Sequence, residues 1–189
     1  MFLYFLVDTS GSMDGAKIAS VNDTMENIIS ELKLYSKNGD VKINVLSFAR
    51  RVKWMYEQTC SIADFEWVRL TASGMTSLGN AIKLLSEDIE EKVVDEEVKI
   101  LLISDGLPTD DFNEGVEILN TVLKNKKSNR FAIALEGADV STLDLFTGNH
   151  NNVFLLESLD DLMDSMFSTI KNFIAMSFSR RCDDEDEWS

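Results

Sequence analysis

Two apolar patterns alternate along the chain. Phe2 to Val7 (FLYFLV) and Val98 to Ile103 (VKILLI) are apolar at nearly every position, as strands buried on both faces of a parallel sheet are. Val41 to Phe48 alternates as a strand, and Phe131 to Leu135 and Val153 to Leu156 read as shorter ones. Between these runs the apolar residues recur at gaps of three and four: Ile18, Val21, Met25, Ile28, Ile29 and Leu32 within Lys17 to Tyr35, then Ala81, Ile82, Leu85 and Ile89 from Leu78 onward. Val116, Leu119, Val122 and Leu123 repeat the pattern, Ser141 to Phe146 reads as a short helix, and Leu159 to Ile174 carries the longest clean periodicity. Strands alternating with helices predict an α/β fold: a doubly wound, mostly parallel six-stranded sheet with helices on both faces.

The connections refine this. Asn38-Gly39-Asp40 should stop the first helix. Val52 to Tyr56 follows Ala49-Arg50-Arg51 too closely for a crossover, so it should be an antiparallel edge strand reached by a hairpin turn. Ile62 to Val68 reads as a helical turn and Leu70 to Ser77 as loop. Asp110 or Asp111 should cap the helix that follows, and Ser158-x-x-Asp161 is a weaker form of the capping box.

Composition then narrows the partners. A length of 189 residues suits one domain, expected over residues 1–179, with an acidic tail at 180–189 expected to be disordered. The formal charge of −15 argues against nucleic acid and anionic membrane, which need cationic surface. No apolar run reaches the ~18 residues of a membrane span. The N-terminus lacks the basic segment of a signal peptide, and Cys60 and Cys182 have no metal or redox spacing. The expectation is a cytoplasmic protein.

Polar loops follow both doubly apolar strands: Asp8-Thr9-Ser10-Gly11-Ser12 after the first and Ser104-Asp105-Gly106 after the second. In open α/β sheets ligands bind at that edge. Alternation lets Asp8, Ser10 and Ser12 converge on one point, and hard divalent cations take such oxygen ligands. A third polar loop, Gly74-Met75-Thr76-Ser77, stands just before a helix.

DTSGS, the isolated Thr76 in ASGMTSLG and SDG after a strand together resemble the von Willebrand factor A domain and its metal-ion-dependent adhesion site, from Met1 to Ile174. More narrowly, DTSGSM, VNDTMENI, ASGMTSLGNAIKLL and ISDGLPTDDF resemble bacterial TerY-type proteins of tellurium-resistance and stress gene clusters. The resemblance implies a metal site in which Ser10, Ser12 and Thr76 are direct hydroxyl ligands and Asp8 and Asp105 hold the ion largely through water. The implied ion is Mg²⁺, with Mn²⁺ or Ca²⁺ as alternatives. Neutral hydroxyls leave the ion's charge incompletely cancelled, so a vacant position attracts a partner's carboxylate. Asp14, Asp110 and Asp111 lie near in sequence, and any that reached the ion would lower that attraction.

The resemblance further implies a non-enzymatic protein-interaction scaffold in tellurite or stress resistance or phage defence, with a PPM-type phosphatase and a Ser/Thr kinase as candidate partners. Two alternatives stand beside it. One is a metal-assisted phosphohydrolase with Asp14 or Asp110 as base; the other is an assembly subunit whose metal is structural. A serine hydrolase would need a base beside Ser10 or Ser12, and the sole histidine, His150, sits in a polar turn. A dehalogenase-like phosphatase would need a second aspartate where Ser10 stands, and the spacing around Lys17 is not that of a phosphate-binding loop.

Overall fold

The computed structural model describes residues 1–35, 41–105 and 107–156, together with Ser168 and Asn172, which are both helical. The helix stop at residues 38–40, the rest of the last helix with its capping box, the domain boundary near residue 179, Cys182 and the acidic tail all lie outside the described residues.

The elements run β1 (Phe2–Asp8), α1 (Ala16–Tyr35), β2 (Lys42–Phe48), β3 (Val52–Trp54), β4 (Cys60–Ser61), α2 (Leu78–Lys92), β5 (Val98–Ser104), α3 (Phe112–Leu123), β6 (Ser128–Ala134), α4 (Val140–Thr147) and β7 (Val153–Leu155). The sheet order is β3-β2-β1-β5-β6-β7. Its core pairs are parallel, and β3 lies antiparallel at the edge on β2, as its short connection requires. The doubly wound α/β fold read from the sequence is therefore the fold observed. The structure adds β4, which pairs antiparallel with β2 at Lys42 and Ile43. Only the start of the helical turn expected over Ile62 to Val68 forms: the Phe65 amide donates to the Ser61 carbonyl at 3.0 Å, and the chain is irregular beyond it. Beyond it the strap is tied to α1 by Asn22, whose Oδ1 accepts from the Trp67 indole at 3.0 Å and the Leu70 amide at 2.8 Å, while its amide donates to the Leu70 carbonyl at 2.9 Å.

Period-two alternation along β1 divides the core into two. Leu3, Phe5 and Val7 face α1 and the strap through Ile62 and Phe65; Phe2, Tyr4 and Leu6 face α2, α3 and α4. Among the described residues β1 is thus covered on both faces and flanked on both sides, and its polar loop leaves at the C-terminal end. Chain direction across the sheet reverses there, with β2 to one side and β5 to the other.

Helices α2 and α3 cross in near-backbone contact. A methyl group on Gly79 would lie 2.4 Å from the Asp111 carbonyl oxygen, and one on Gly115 would lie 2.7 Å from the Gly79 carbonyl oxygen. This approach seats the loop before α3 on the first turn of α2. Gly79→Ala is expected to destabilise the fold by about 1–3 kcal/mol, because backbone must move to admit the methyl group. Urea unfolding measures this, and an unchanged midpoint would mean the helices separate without cost.

A candidate metal centre at the strand ends

Strand register builds the site. Asp8 pairs with Phe48 on β2, and Val7 pairs with Ile103 on β5, so Asp8 stands level with Ser104. The buried Asp8 carboxylate accepts from the Ser104 hydroxyl at 2.6 Å on one oxygen and from the Ser10 amide at 2.8 Å on the other. The second bond curls the loop back over the strand end. The chain continues through a 3-10 turn at Gly11–Met13, and Ser10 and Ser12 place their hydroxyl oxygens 3.0 Å apart. Ser12 in turn donates to Asp105 Oδ1 at 2.7 Å. Asp8, Ser10, Ser12 and Asp105 thus form one connected cluster from two loops.

Backbone bonds lay the third loop alongside. The Ser73 amide donates to the Thr9 carbonyl at 2.7 Å, and the Gly11 amide donates to the Gly74 carbonyl at 2.9 Å. Gly74 has φ +88°, and a side chain there would come 3.3 Å from Cβ of Arg50, so the tight turn suits glycine. Thr76 is buried, and its carbonyl accepts from the Thr109 amide at 2.8 Å and hydroxyl at 2.9 Å. Its own hydroxyl has no hydrogen-bond partner among the described residues. Thr76 does not cap α2 either. That role belongs to Asp110, whose oxygens accept from the Gly79 amide at 2.9 Å and the Asn80 amide at 2.8 Å.

Each other sequence candidate also has a place. Asp111 caps α3 through the Glu114 amide at 3.3 Å. With Asp110 and Asp111 both engaged on helix starts, Asp14 alone of the three nearby aspartates is exposed without such a bond. His150 pairs with Asp144 at 2.9 Å just before β7, at the N-terminal edge of the sheet, opposite the serines. The chemistry of the cluster suits a hard cation: its donors are all oxygen, two carboxylates and neutral hydroxyls. Among the described residues no three of His, Cys, Asp and Glu stand together. An ion at these loops would therefore meet hydroxyls as well as carboxylates.

Three residues that serve the site carried no sequence signal of their role. Ser104 reads from the sequence as the start of a polar loop but is the last residue of β5, which is what sets it beside Asp8. Asn22 falls on the buried side of α1 and orders the strap that leads to Thr76. Lys17, on the first turn of α1, reaches back to pair with Asp105 and donates to the Glu136 carbonyl at 2.9 Å. Only register and the crossing of loops bring these groups in.

Burial pushes the Asp8 carboxyl above the usual aspartate range; the Ser104 and Ser10 hydrogen bonds oppose the shift, and the Asp105 charge adds to it. The buried surroundings thus disfavour the charged form of Asp8.

The model of the von Willebrand factor type A domain matches residues 3–169. No curated protein sequence matches the chain. Among solved structures, the pilus adhesin SpaC from Lactobacillus rhamnosus GG superposes with a TM-score of 0.77 at 11% identity, covering 92% of this chain and 30% of its own. The vWF domain of the type V pili tip protein Mfa5 from Porphyromonas gingivalis gives 0.71 at 13% identity, covering 93% and 95%. Proximal thread matrix protein 1 from the mussel byssus, with a zinc-occupied MIDAS motif, gives 0.66 at 21% identity, covering 90% of this chain and 44% of its own. The chain spans less than half the length of the mussel protein and of the SpaC adhesin.

Because the folded-state pKa of Asp8 is raised, its contribution to stability is fully present below the unfolded aspartate value and is lost as pH rises through the folded one. Asp8→Asn is therefore expected to raise the neutral-pH thermal midpoint of chelator-treated protein, about 2–4 °C for each kcal/mol recovered at this length, and to gain nothing at acidic pH. Thermal scans at the two pH values decide it. A lower midpoint at neutral pH would mean that the charged carboxylate stabilises the loops.

Proposed function

Because this chain belongs to the von Willebrand factor type A domain family, we propose that its loop cluster is a metal-ion-dependent adhesion site, through which a partner protein's acidic side chain is captured. The observation that carries this reading is the linked set Asp8, Ser10, Ser12 and Asp105 at the C-terminal edge of β1 and β5, with Thr76 held beside it. Ser10, Ser12 and Thr76 would hold the ion directly, and Asp8 and Asp105 largely through water. Mg²⁺ suits this set best, since it favours few carboxylates and retained water; Mn²⁺ and Ca²⁺ are the alternatives. When bound, such an ion supplies a Lewis-acidic position open to a carboxylate.

The chain's own residues support docking rather than catalysis. Of the two candidate bases Asp110 is engaged on α2 and Asp14 is exposed to solvent, outside the buried cluster, and His150 lies at the far edge of the sheet. The loops bearing Thr76 and Asp105 each expose a large apolar side chain, Met75 at 60% and Leu107 at 61%. Together they give the ion an apolar collar that a docked protein surface would cover. Among the described residues no helix is long and apolar enough to cross a membrane. We read the chain as a non-enzymatic cytoplasmic scaffold of the TerY type, acting in tellurite or stress resistance or phage defence. A PPM-type phosphatase and a Ser/Thr kinase are the first partners to test.

Calorimetric titration of Mg²⁺ and Mn²⁺ into chelator-treated protein should show one ion per chain, with Asp8→Ala and Thr76→Ala each weakening it by about tenfold or more, the loss of one charge-assisted ligand contact. Saturation should raise the thermal midpoint, since an ion at a hundred times its Kd stabilises by about 2.7 kcal/mol. Purified candidate partners should bind in the presence of the ion and be released by chelator. No ion binding, or partner binding indifferent to chelator, would sink the reading.

A further inference from the structure

Lys17 is built into the cluster as firmly as the hydroxyls are. Its ammonium group pairs with Asp105 Oδ2 and donates to the Glu136 carbonyl at 2.9 Å, which fixes it between α1 and the loop after β6. The lysine side chain is 18% exposed, and the carboxylate it meets is fully buried. Asp105 divides its oxygens, taking Ser12 on Oδ1 and Lys17 on Oδ2. The ammonium therefore occupies the oxygen that the hydroxyl chain leaves. Among the described residues Lys17 is the only cation paired with Asp8 or Asp105.

We propose that Lys17 is a resident counter-cation that sets the charge of this site, weakening its hold on a divalent ion and making the loaded site depend on a partner's carboxylate. The inference rests on the metal-site reading given above. Two carboxylates and one ammonium leave the empty site with one negative charge, which a divalent ion turns into one positive charge. Without Lys17 the same ion would be neutralised by Asp8 and Asp105 alone. One incoming carboxylate completes the neutralisation with Lys17 present and overshoots it with Lys17 removed. Ion and carboxylate attract each other directly, so by linkage each raises the affinity for the other by the same factor, while Lys17 weakens the hold on the ion and strengthens the hold on the carboxylate. Lys17 acts through Asp105 and need not touch either ligand.

The experiment is calorimetric titration of Mn²⁺ into chelator-treated wild type, Lys17→Met, Lys17→Gln and Lys17→Arg, with folding checked by circular dichroism. Each titration is repeated with a fixed excess of blocked Gly-Asp-Gly tripeptide, and with Gly-Asn-Gly as control. Removing one positive charge this close to a divalent ion should tighten Mn²⁺ binding by about tenfold, even with water-like screening. Lys17→Arg should behave as wild type. The aspartyl peptide should tighten Mn²⁺ binding in wild type and Lys17→Arg more than in Lys17→Met or Lys17→Gln, and the asparaginyl peptide in none. Equal or weaker Mn²⁺ binding by both neutral variants would overturn the role of Lys17 while leaving the metal site intact. Tighter Mn²⁺ binding with no change in peptide coupling would overturn the link to the partner. Failure of wild type and neutral variants alike to bind Mn²⁺ would overturn the metal site and this inference together.

Discussion

The burial of one carboxylate organises the C-terminal edge of this sheet. Asp8 ends a strand covered on both faces and flanked on both sides and is itself fully buried, so its oxygens are met by the protein. The Ser10 amide and the Ser104 hydroxyl meet them, and each bond has a structural consequence. The first turns the chain back over the strand end and presents the Ser10 and Ser12 hydroxyls. The second ties β1 to β5 at the level from which Asp105 emerges. A neutral side chain could be buried there at less cost, and a bound cation would offset the cost of the charged form.

The surrounding loops are held by backbone more than by side chains. Thr9 bonds both Phe48 and Ser73, Gly11 bonds Gly74, and Thr76 receives Thr109, so the three loops form a laced edge whose parts cannot shift singly. The close approach of Gly79 to Asp111 extends the lacing into the helices, since it brings Asp110 onto the first amides of α2. Donors arranged this way need little reordering when a ligand arrives, which lowers the entropic cost of binding.

The sequence displayed those parts of the molecule that depend on local periodicity. The doubly apolar runs of β1 and β5, the three-four spacing of α1, α2 and α3, and the short hairpin into β3 all state their structure within a few residues. Strand ends marked the edge where the polar loops gather, and the motif order marked Asp8, Ser10, Ser12, Thr76 and Asp105. What stayed hidden depends on register and tertiary crossing. Ser104 reads as the first residue of a polar loop until the register sets it on β5 beside Asp8. Asp110 reads as a cap for the helix after it, yet it caps the helix before, because the glycine contact between α2 and α3 brings it there. The anchoring of the strap after β4 stayed hidden for the same kind of reason: Asn22, distant in sequence, holds the Trp67 indole and the Leu70 backbone. Lys17 reads as an ordinary first-turn lysine, and only the folded chain reveals its partner as Asp105.

A net charge of −15 opposes an acidic partner at long range, and a carboxylate-binding site is reconciled with it by distance. At physiological ionic strength charges are screened over about 8 Å, so the many carboxylates spread over the body act weakly at the strand ends. Around the loops the balance is closer. Arg50 and Arg51 are exposed at the β2–β3 turn and make no ion pair among the described residues, and Lys17 pairs with Asp105. With Asp14 and Glu136 exposed and Asp8 and Asp105 in the cluster, these anions outnumber the three cations by one. An ion carried by the buried cluster would therefore dominate the field a partner meets on contact. The body charge would still slow the approach of an acidic protein and discourage indiscriminate association, leaving selectivity to the short-range fit of one carboxylate inside an apolar collar.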